Sequence, residues 1–204
     1  MKSDIRWLGH DTFRIQAERV VYTDPFQLKS RDVADIILVT HEHRDHCSPE
    51  DIEKLRGPET VIVAPADCRE KLGPDIVSLA VGESREIKGV LIEAVPSYNT
   101  NKKFHTHDRG WVGYIFTMNN ERIYLAGDTD HIPEMKGLKV DIALLPVSGT
   151  YVMTADEAIR AALDIMPGLA IPMHYGAIVG SSDDAQRFAE GLKGKVQVKI
   201  LAQE

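Results

Sequence analysis

No apolar run in this 204-residue chain approaches the roughly twenty residues that a membrane-spanning helix requires. Cysteine is scarce: Cys47 and Cys68 are the only two, too few for a disulfide framework and in keeping with a reducing compartment. Cys47 follows His46 directly, but a small buried filler is its expected role. There is no lysine- or arginine-rich run, the net charge is −7 and the isoelectric point lies near 5.6. These values argue against a surface built to hold nucleic acid, although Lys102, Lys103 and Arg109 leave a local basic pocket open. Repeats, low-complexity tracts and linkers are absent as well, so residues 1–204 read as a single domain. The opening MKSDIRWLGHDTF lacks the apolar run of a secretory signal, and the expected location is cytoplasmic.

What is present suits an ordinary soluble globular protein. Hydrophobic residues make up 43% and charged residues 27% of the chain, enough for one sizeable core at this length. The first part reads as short strands and turns, IRWLGHDTFRIQ and then VVYTDPF, with Asp24-Pro25 as a stop. DIILVT is apolar without alternation, the pattern of a strand buried on both faces. After it, Ser48 is placed as an N-cap and Pro49 at the first helical position. Glu50 and Asp51 favour the positive helix end, and Gly57-Pro58 stops the helix after Leu55.

TVIVAP reads as another buried strand, followed by a short helical piece from Ala66 to Leu72. REIKGVLIEAVPSY and WVGYIFTMNNERIYLAGD form a strand-rich middle, with a hairpin at Asn119-Asn120. The last third alternates: strand DIALLPV, a helix from Thr154 to Met166 with Thr154 and Glu157 as a capping box, strand LAIPMHY, a helix from Ser182 to Leu192, and a final strand KVQVKIL. Strands first and strand–helix alternation later imply central sheets with helices outside.

Residues 40–55, THEHRDHCSPEDIEKL, hold His41, His43, Asp45 and His46 within six positions. A lone histidine is more often a satisfied core or surface residue. Four ligand-type side chains at a strand-to-helix turn point instead to metal. In an extended segment His41 and His43 face one side and can share an ion, while Asp45 and His46, at the bend, can serve a second. Asp128 follows RIYLAG and His174 follows LAIPM, so these candidates too sit beyond the ends of apolar strands, where rigid scaffolding can aim them at one point. Imidazole and carboxylate without thiolate suit zinc first, with manganese or iron(II) as alternatives.

The pattern His41-x-His43-x-Asp45-His46, with Asp24 in YTDP, Asp128 in AGDTD and His174 in PMHYG, resembles the metallo-β-lactamase superfamily along nearly the whole chain. WLGHDTF and LLPVSGTY look most like its branch of L-ascorbate-6-phosphate lactonase and N-acyl phosphatidylethanolamine phospholipase D. The resemblance implies an α/β (α+β) fold, a four-layer αββα sandwich with two divalent metal ions at one edge of its sheets. It gives His41 and His43 to the first ion, Asp45, His46 and His174 to the second, and makes Asp128 the bridge. Asp24 becomes a partner that orients a ligand histidine. The superfamily usually carries a further histidine after a middle strand, but here LIEAVPSY runs into Asn99. His105 reaching back, Asn99 offering its amide oxygen, and a poorly filled first site are the three options. Zinc prefers nitrogen or charged ligands, which favours His105. His107 is expected in solvent.

The resemblance further implies a hydrolase in which paired cations ready a water, acting on a phosphoester, phosphodiester or lactone of a small metabolite. Asp45 and His10 are the candidate catalytic residues, His10 as a donor to substrate. Tyr175 is a candidate for an oxyanion contact with packing as the stronger alternative, Gly149 and Thr150 are candidates for the pocket floor, and Asp130 and His131 have no assigned role. A nuclease of the same fold, a flavodiiron-type redox protein and a metal-stabilised binding or sensor protein are the competing readings. The acidic balance, His43 in place of a glutamate, and the count of first-site ligands discriminate them. Oligomeric state is not legible.

Overall fold

The computed structural model describes residues 3–29 and 32–204. Two sheets form, and in each the strands lie side by side in chain order. The first holds β1 (Asp4–Gly9), β2 (Thr12–Gln16), β3 (Val20–Thr23), β4 (Ile36–Leu38), β5 (Val61–Ala64) and β6 (Val77–Ser78). The second holds β7 (Ser84–Ile87), β8 (Val90–Pro96), β9 (Val112–Met118), β10 (Glu121–Leu125), β11 (Ile142–Pro146), β12 (Leu169–Met173) and β13 (Gln197–Val198).

Both sheets begin antiparallel and end parallel: β3 to β6 run together, and so do β10 to β13. Parallel neighbours need crossovers, and helices supply four of them. These are α1 (Pro49–Leu55), α2 (Arg69–Leu72, after a single 3-10 turn), α3 (Ala155–Ile165) and α4 (Ser182–Leu192). Because of these directions, β1, β3, β4 and β5 of one sheet, and β8, β10, β11 and β12 of the other, deliver the residues that follow them to a common edge.

The layering follows from side-chain alternation. On β4, Ile36 and Leu38 join the central core with Phe13, Tyr114 and Phe116, whereas Ile37 joins Ile52, Leu55 and Ile62 under α1. The unbroken apolar run is therefore a strand buried on both faces. On the far side, Ala158, Ala161, Ala162 and Ile165 of α3 and Phe188 of α4 close over the second sheet. Two sheets face to face with helices outside both is the four-layer αββα sandwich of the α/β class.

Local chemistry sets the boundaries. Ser48 Oγ accepts from Asp51 N at the start of α1. Thr154 and Glu157 form a reciprocal capping box on α3, and Met166 ends it in a left-handed conformation. Asn119 and Asn120 both take positive φ, 48° and 56°, as the tight turn between β9 and β10 requires. KVQVKIL, expected as a full strand, is strand only at the two residues of β13; after Lys199 N donates to the Ala170 carbonyl the chain turns to β1, where Gln203 lies opposite Trp7. The two-residue β6 has no alternation to announce it. Among the described residues no helix is long and apolar enough to cross a membrane.

Candidate metal centre

Every side chain of the centre is delivered just past a strand end at the shared edge. β1 delivers His10 and Asp11, β3 Asp24, and β4 the run from His41 to His46. From the other sheet come Asn99 and His105 after β8, Asp128 after β10, Ser148 after β11 and His174 after β12. His10, Asp24 and His174 hold left-handed backbone, at φ 50°, 36° and 59°. Such non-glycine conformations cost about 1–3 kcal/mol each and persist where surrounding structure dictates them. Here the His10 carbonyl accepts from both Trp7 Nε1 (2.8 Å) and His174 N (3.1 Å), which ties the two sheets' loops together.

Two constellations adjoin. In the first, His41 Nε2 and His105 Nε2 approach His43 Nδ1 to 3.0 and 3.2 Å, and His105 Nε2 lies 3.2 Å from Asp128 Oδ2. In the second, His46 Nε2 is 3.3 Å from Asp128 Oδ1 and 3.7 Å from Asp45 Oδ2, and His174 Nε2 is 3.2 Å from Asp128 Oδ2. Ligands around a tetrahedral ion with bonds of roughly 2.0–2.1 Å stand about 3.3 Å apart, so these spacings fit a shared cation. His46 Nε2, Asp128 Oδ1 and His174 Nε2 are buried without any hydrogen-bond partner among the described residues. Buried polar atoms are ordinarily satisfied, and the residues present fit a metal pair.

The outward nitrogens are fixed by partners. Asp24 Oδ2 faces His46 Nδ1 at 2.9 Å, and the same carboxylate accepts from Thr40 N and Thr40 Oγ1 at 2.8 Å each. Thr40 Oγ1 also meets His41 Nδ1 at 3.0 Å, Ser148 Oγ meets His174 Nδ1 at 2.9 Å, and Asn99 Oδ1 meets His105 Nδ1 at 3.2 Å. Asp24, Asn99 and Thr40, whose hydroxyl hydrogen goes to Asp24, can only accept here, which places the proton of His46, His105 and His41 on the outer nitrogen and leaves the inner lone pair facing the cluster. The Trp111 ring stands 4.8 Å from those of both His41 and His43 and is itself held by Asp67, which accepts from its Nε1 at 2.6 Å.

Charge is unevenly shared. Burial would raise Asp128, but His174 and His46 hold its carboxyl well below the usual range. Burial would lower His174, but Asp128 and Asp11 lift it to about 9. His46 is likewise raised, burial being outweighed by Asp128 and Asp24. His41 and His43 are lowered, chiefly by burial. Burial pushes Asp11 up to about 8 and His10 down to about 4.

The structure thus brings together His41, His43, Asp45, His46, His105, Asp128 and His174. The amide oxygen of Asn99 is turned to His105, from whose backbone N it also accepts at 3.0 Å. His10 is 1% exposed, gives Nε2 to Asp45 Oδ2 at 3.1 Å, and is not among the residues lining the adjacent cavity. Tyr175 stacks on Trp7. Tyr151, rather than Gly149 or Thr150, reaches the cavity wall. Asp130 organises the loop that carries His105, accepting from Thr100 N and Asn99 Nδ2 and pairing with Lys102. His131 pairs with Asp164, and the exposed His107 packs against Tyr98.

Residues missed by sequence reasoning are Asp11, Thr40, Ser148 and Trp111. Adjacency to His10 and His41 was the only signal for the first two. The cavity, of about 600 Å³, is walled by Phe26, Phe104, Tyr151 and Ile178, with Arg44 at its edge and His43, Asp45, His105 and Asp128 at its base. Lys102, Lys103 and Arg109, the expected basic pocket, do not line it.

A model of the beta-lactamase superfamily domain matches residues 4–174. The chain belongs to the beta-lactamase superfamily, in its UPF0173 metal-dependent hydrolase family. The UPF0173 metal-dependent hydrolase of Thermoplasma acidophilum is 32% identical over 98% of this chain and 95% of its own length. The UPF0173 metal-dependent hydrolase of Pyrococcus horikoshii is 30% identical over 97% and 95%. A crystal structure from Parabacteroides distasonis superposes with a TM-score of 0.88 at 35% identity, covering 99% of this chain and 94% of that one. A metallo hydrolase from Ignicoccus hospitalis shares the fold at 20% identity, with a TM-score of 0.80 over 98% and 95% of the two chains.

Proposed function

We propose that this superfamily member is a dinuclear metal hydrolase of small-metabolite esters, of the phosphoester, phosphodiester or lactone kind. His41, His43 and His105 would hold the first ion, Asp45, His46 and His174 the second, and Asp128 both. Zinc is the first choice for the imidazole-rich first set, with manganese or iron(II) as alternatives. The observation that carries the reading is the trio of buried, unpartnered atoms, His46 Nε2, Asp128 Oδ1 and His174 Nε2, facing one another.

Two divalent cations held there would supply the acidification of a water and the polarisation of the scissile oxygen. The chain's own groups do the rest. Asp45, beside the cavity, is held ionised: burial raises it, but the His10 hydrogen bond and the His46 charge outweigh that. Ionised and at the cavity, it is placed to accept a hydrogen bond from attacking water and orient it. His10 acts through Asp45 as a positioning residue. Phe104 and Tyr151, their rings 4.7 Å apart and perpendicular, would exclude water from an apolar substrate group, with Arg44 facing a phosphoryl or carboxylate oxygen.

The branch resemblance in WLGHDTF and LLPVSGTY supports this ester class, and the acidic balance speaks against a nuclease. The test is metal counting and turnover of a phosphoester, phosphodiester and lactone panel by the metal-loaded protein, with and without chelator. Two ions per chain and chelator-sensitive turnover are expected. Two ions with no turnover of any member would remove the substrate class and favour a binding or sensor role. Salt-sensitive cleavage of RNA would favour the nuclease.

A further inference from the structure

Five aspartates are buried, and three are fully engaged. Asp24 takes Thr40 twice and His46, Asp51 takes Gln27 N, Leu28 N, Ser48 Oγ and Lys54 Nζ, and Asp130 takes Thr100 N, Asn99 and Lys102. Asp128 faces the ligand histidines. Asp11 alone has both carboxylate oxygens buried, at 0% residue exposure, with no hydrogen-bond partner among the described residues. The hydroxyls nearby are committed elsewhere: Thr12 Oγ1 donates to the Asp24 carbonyl and Thr23 Oγ1 to the Asp11 carbonyl.

Position makes this more than a defect. One Asp11 oxygen lies within 4.8 Å of a ligand atom of Asp128 and of His174, and the carboxylate is equally close to Asp24 and His46. Its Oδ2 stands 4.0 Å from His46 Nδ1. A carboxyl group buried with neither oxygen hydrogen-bonded is costly to keep in water-free surroundings, and the imidazoles nearby offset that only through space. A serine or alanine in the β1–β2 turn would avoid that cost. A cation removes it.

We infer that Asp11 is a further ligand of the second ion, reaching it from the buried side while Asp45 reaches it from the cavity. The inference rests on the two-ion reading above. It makes the two sites chemically unequal. Around the first, three imidazoles join Asp128, a set suited to zinc. Around the second, Asp11, Asp45 and Asp128 outnumber His46 and His174, and oxygen-rich sets suit manganese or iron(II) better.

The experiment uses the full chain, stripped of metal, as wild type, Asp11→Ala and Asp11→Asn. Zn2+ and Mn2+ stoichiometry and affinity are measured at buffered free metal, with the visible spectrum of the Co2+-loaded forms and the Tm of the metal-free forms. In both variants the second ion should bind about tenfold or more weakly, since even an outer partner's loss has that effect. The first ion should be unchanged, and one of the two Co2+ bands should alter. The metal-free Asp11→Ala protein should melt at or above wild type, because a desolvated carboxyl is gone; should it not fold, the isosteric Asp11→Asn carries the metal readings. Wild-type affinity for two ions in both variants, or a lowered metal-free Tm with unaltered affinity, would overturn the role of Asp11 alone. A wild type that takes up no metal would overturn the two-ion reading itself.

Discussion

Asn99 turns its amide to His105 and to the loop that carries it. Its Oδ1 faces the outer nitrogen of His105, while its Nδ2 donates to Asp130 and to the Tyr151 carbonyl. Replacing His105 with alanine should lower bound metal from two ions to one per chain. Asn99→Ala should keep two at saturation but weaken uptake by about 10–100-fold. Metal analysis under buffered free zinc separates the two, and an unaltered count in His105→Ala would disprove that residue's role.

The metal-free protein should also be pH-sensitive in a defined direction. His174 is raised to about 9, against about 6.5 for an unperturbed histidine. Its stabilising contribution is therefore complete below about pH 6.5 and is lost as pH rises through about 9. Asp11, raised to about 8 because burial resists its ionisation, has the same sign over a lower window, its loss beginning at about pH 4 and ending at about 8. Thermal melts of the stripped protein should fall between pH 6.5 and 9, and metal uptake should tighten over that window as cations replace protons. A flat profile would contradict both assignments. His41, His43, Asp45 and His46 were legible because they crowd six positions. Asp11, Thr40, Ser148 and Trp111 were not, because Thr40 to Asp24, Ser148 to His174 and Trp111 to His41 and His43 are contacts that join residues far apart in sequence, as does the approach of Asp11 to His46.

Element by element, two helices were readable from their starts, where Ser48 and Thr154 accept from the first turn; Ser181 does the same for α4, a cap the structure adds. Thr154→Ala should cost about 1 kcal/mol, seen as a lowered denaturation midpoint with metal binding intact. The strand β9 offers a sharper test. A Cβ on Gly113 would stand 2.6 Å from the Leu125 carbonyl oxygen and 2.8 Å from that of Ala126, and neither backbone atom can yield cheaply. Gly113→Ala should therefore destabilise by about 1–3 kcal/mol. It should weaken both ions together, because β10 is pushed just upstream of Asp128. Loss of stability without loss of metal affinity would show that the strand end is insulated from the centre. Strand lengths were harder to foresee: the apolar alternation of KVQVKIL cannot reveal that the ladder with β12 ends at Lys199.

For the molecule as a whole, the layered fold was legible in the change from strands to strand–helix alternation, and its shared edge in apolar runs that end on ligands. Cavity walls were not, since Phe26, Phe104, Tyr151 and Ile178 come from separate loops. Chelation should lower the Tm, because cations bind only the native arrangement. At a free ion concentration a thousandfold above Kd the expected stabilisation is about 4 kcal/mol. Calorimetry with and without chelator checks it, and equal melts would deny a native-state ion.

Residues 10, 24 and 41–46 follow strands of the first sheet, whereas 105, 128 and 174 follow strands of the second. The fragment ending at β6 carries the densest ligand motif and still lacks His105, Asp128 and His174. Non-local closure of this kind is slow. A coloured ion added during refolding would therefore act as a clock, its spectrum maturing with the last kinetic phase rather than with the first collapse.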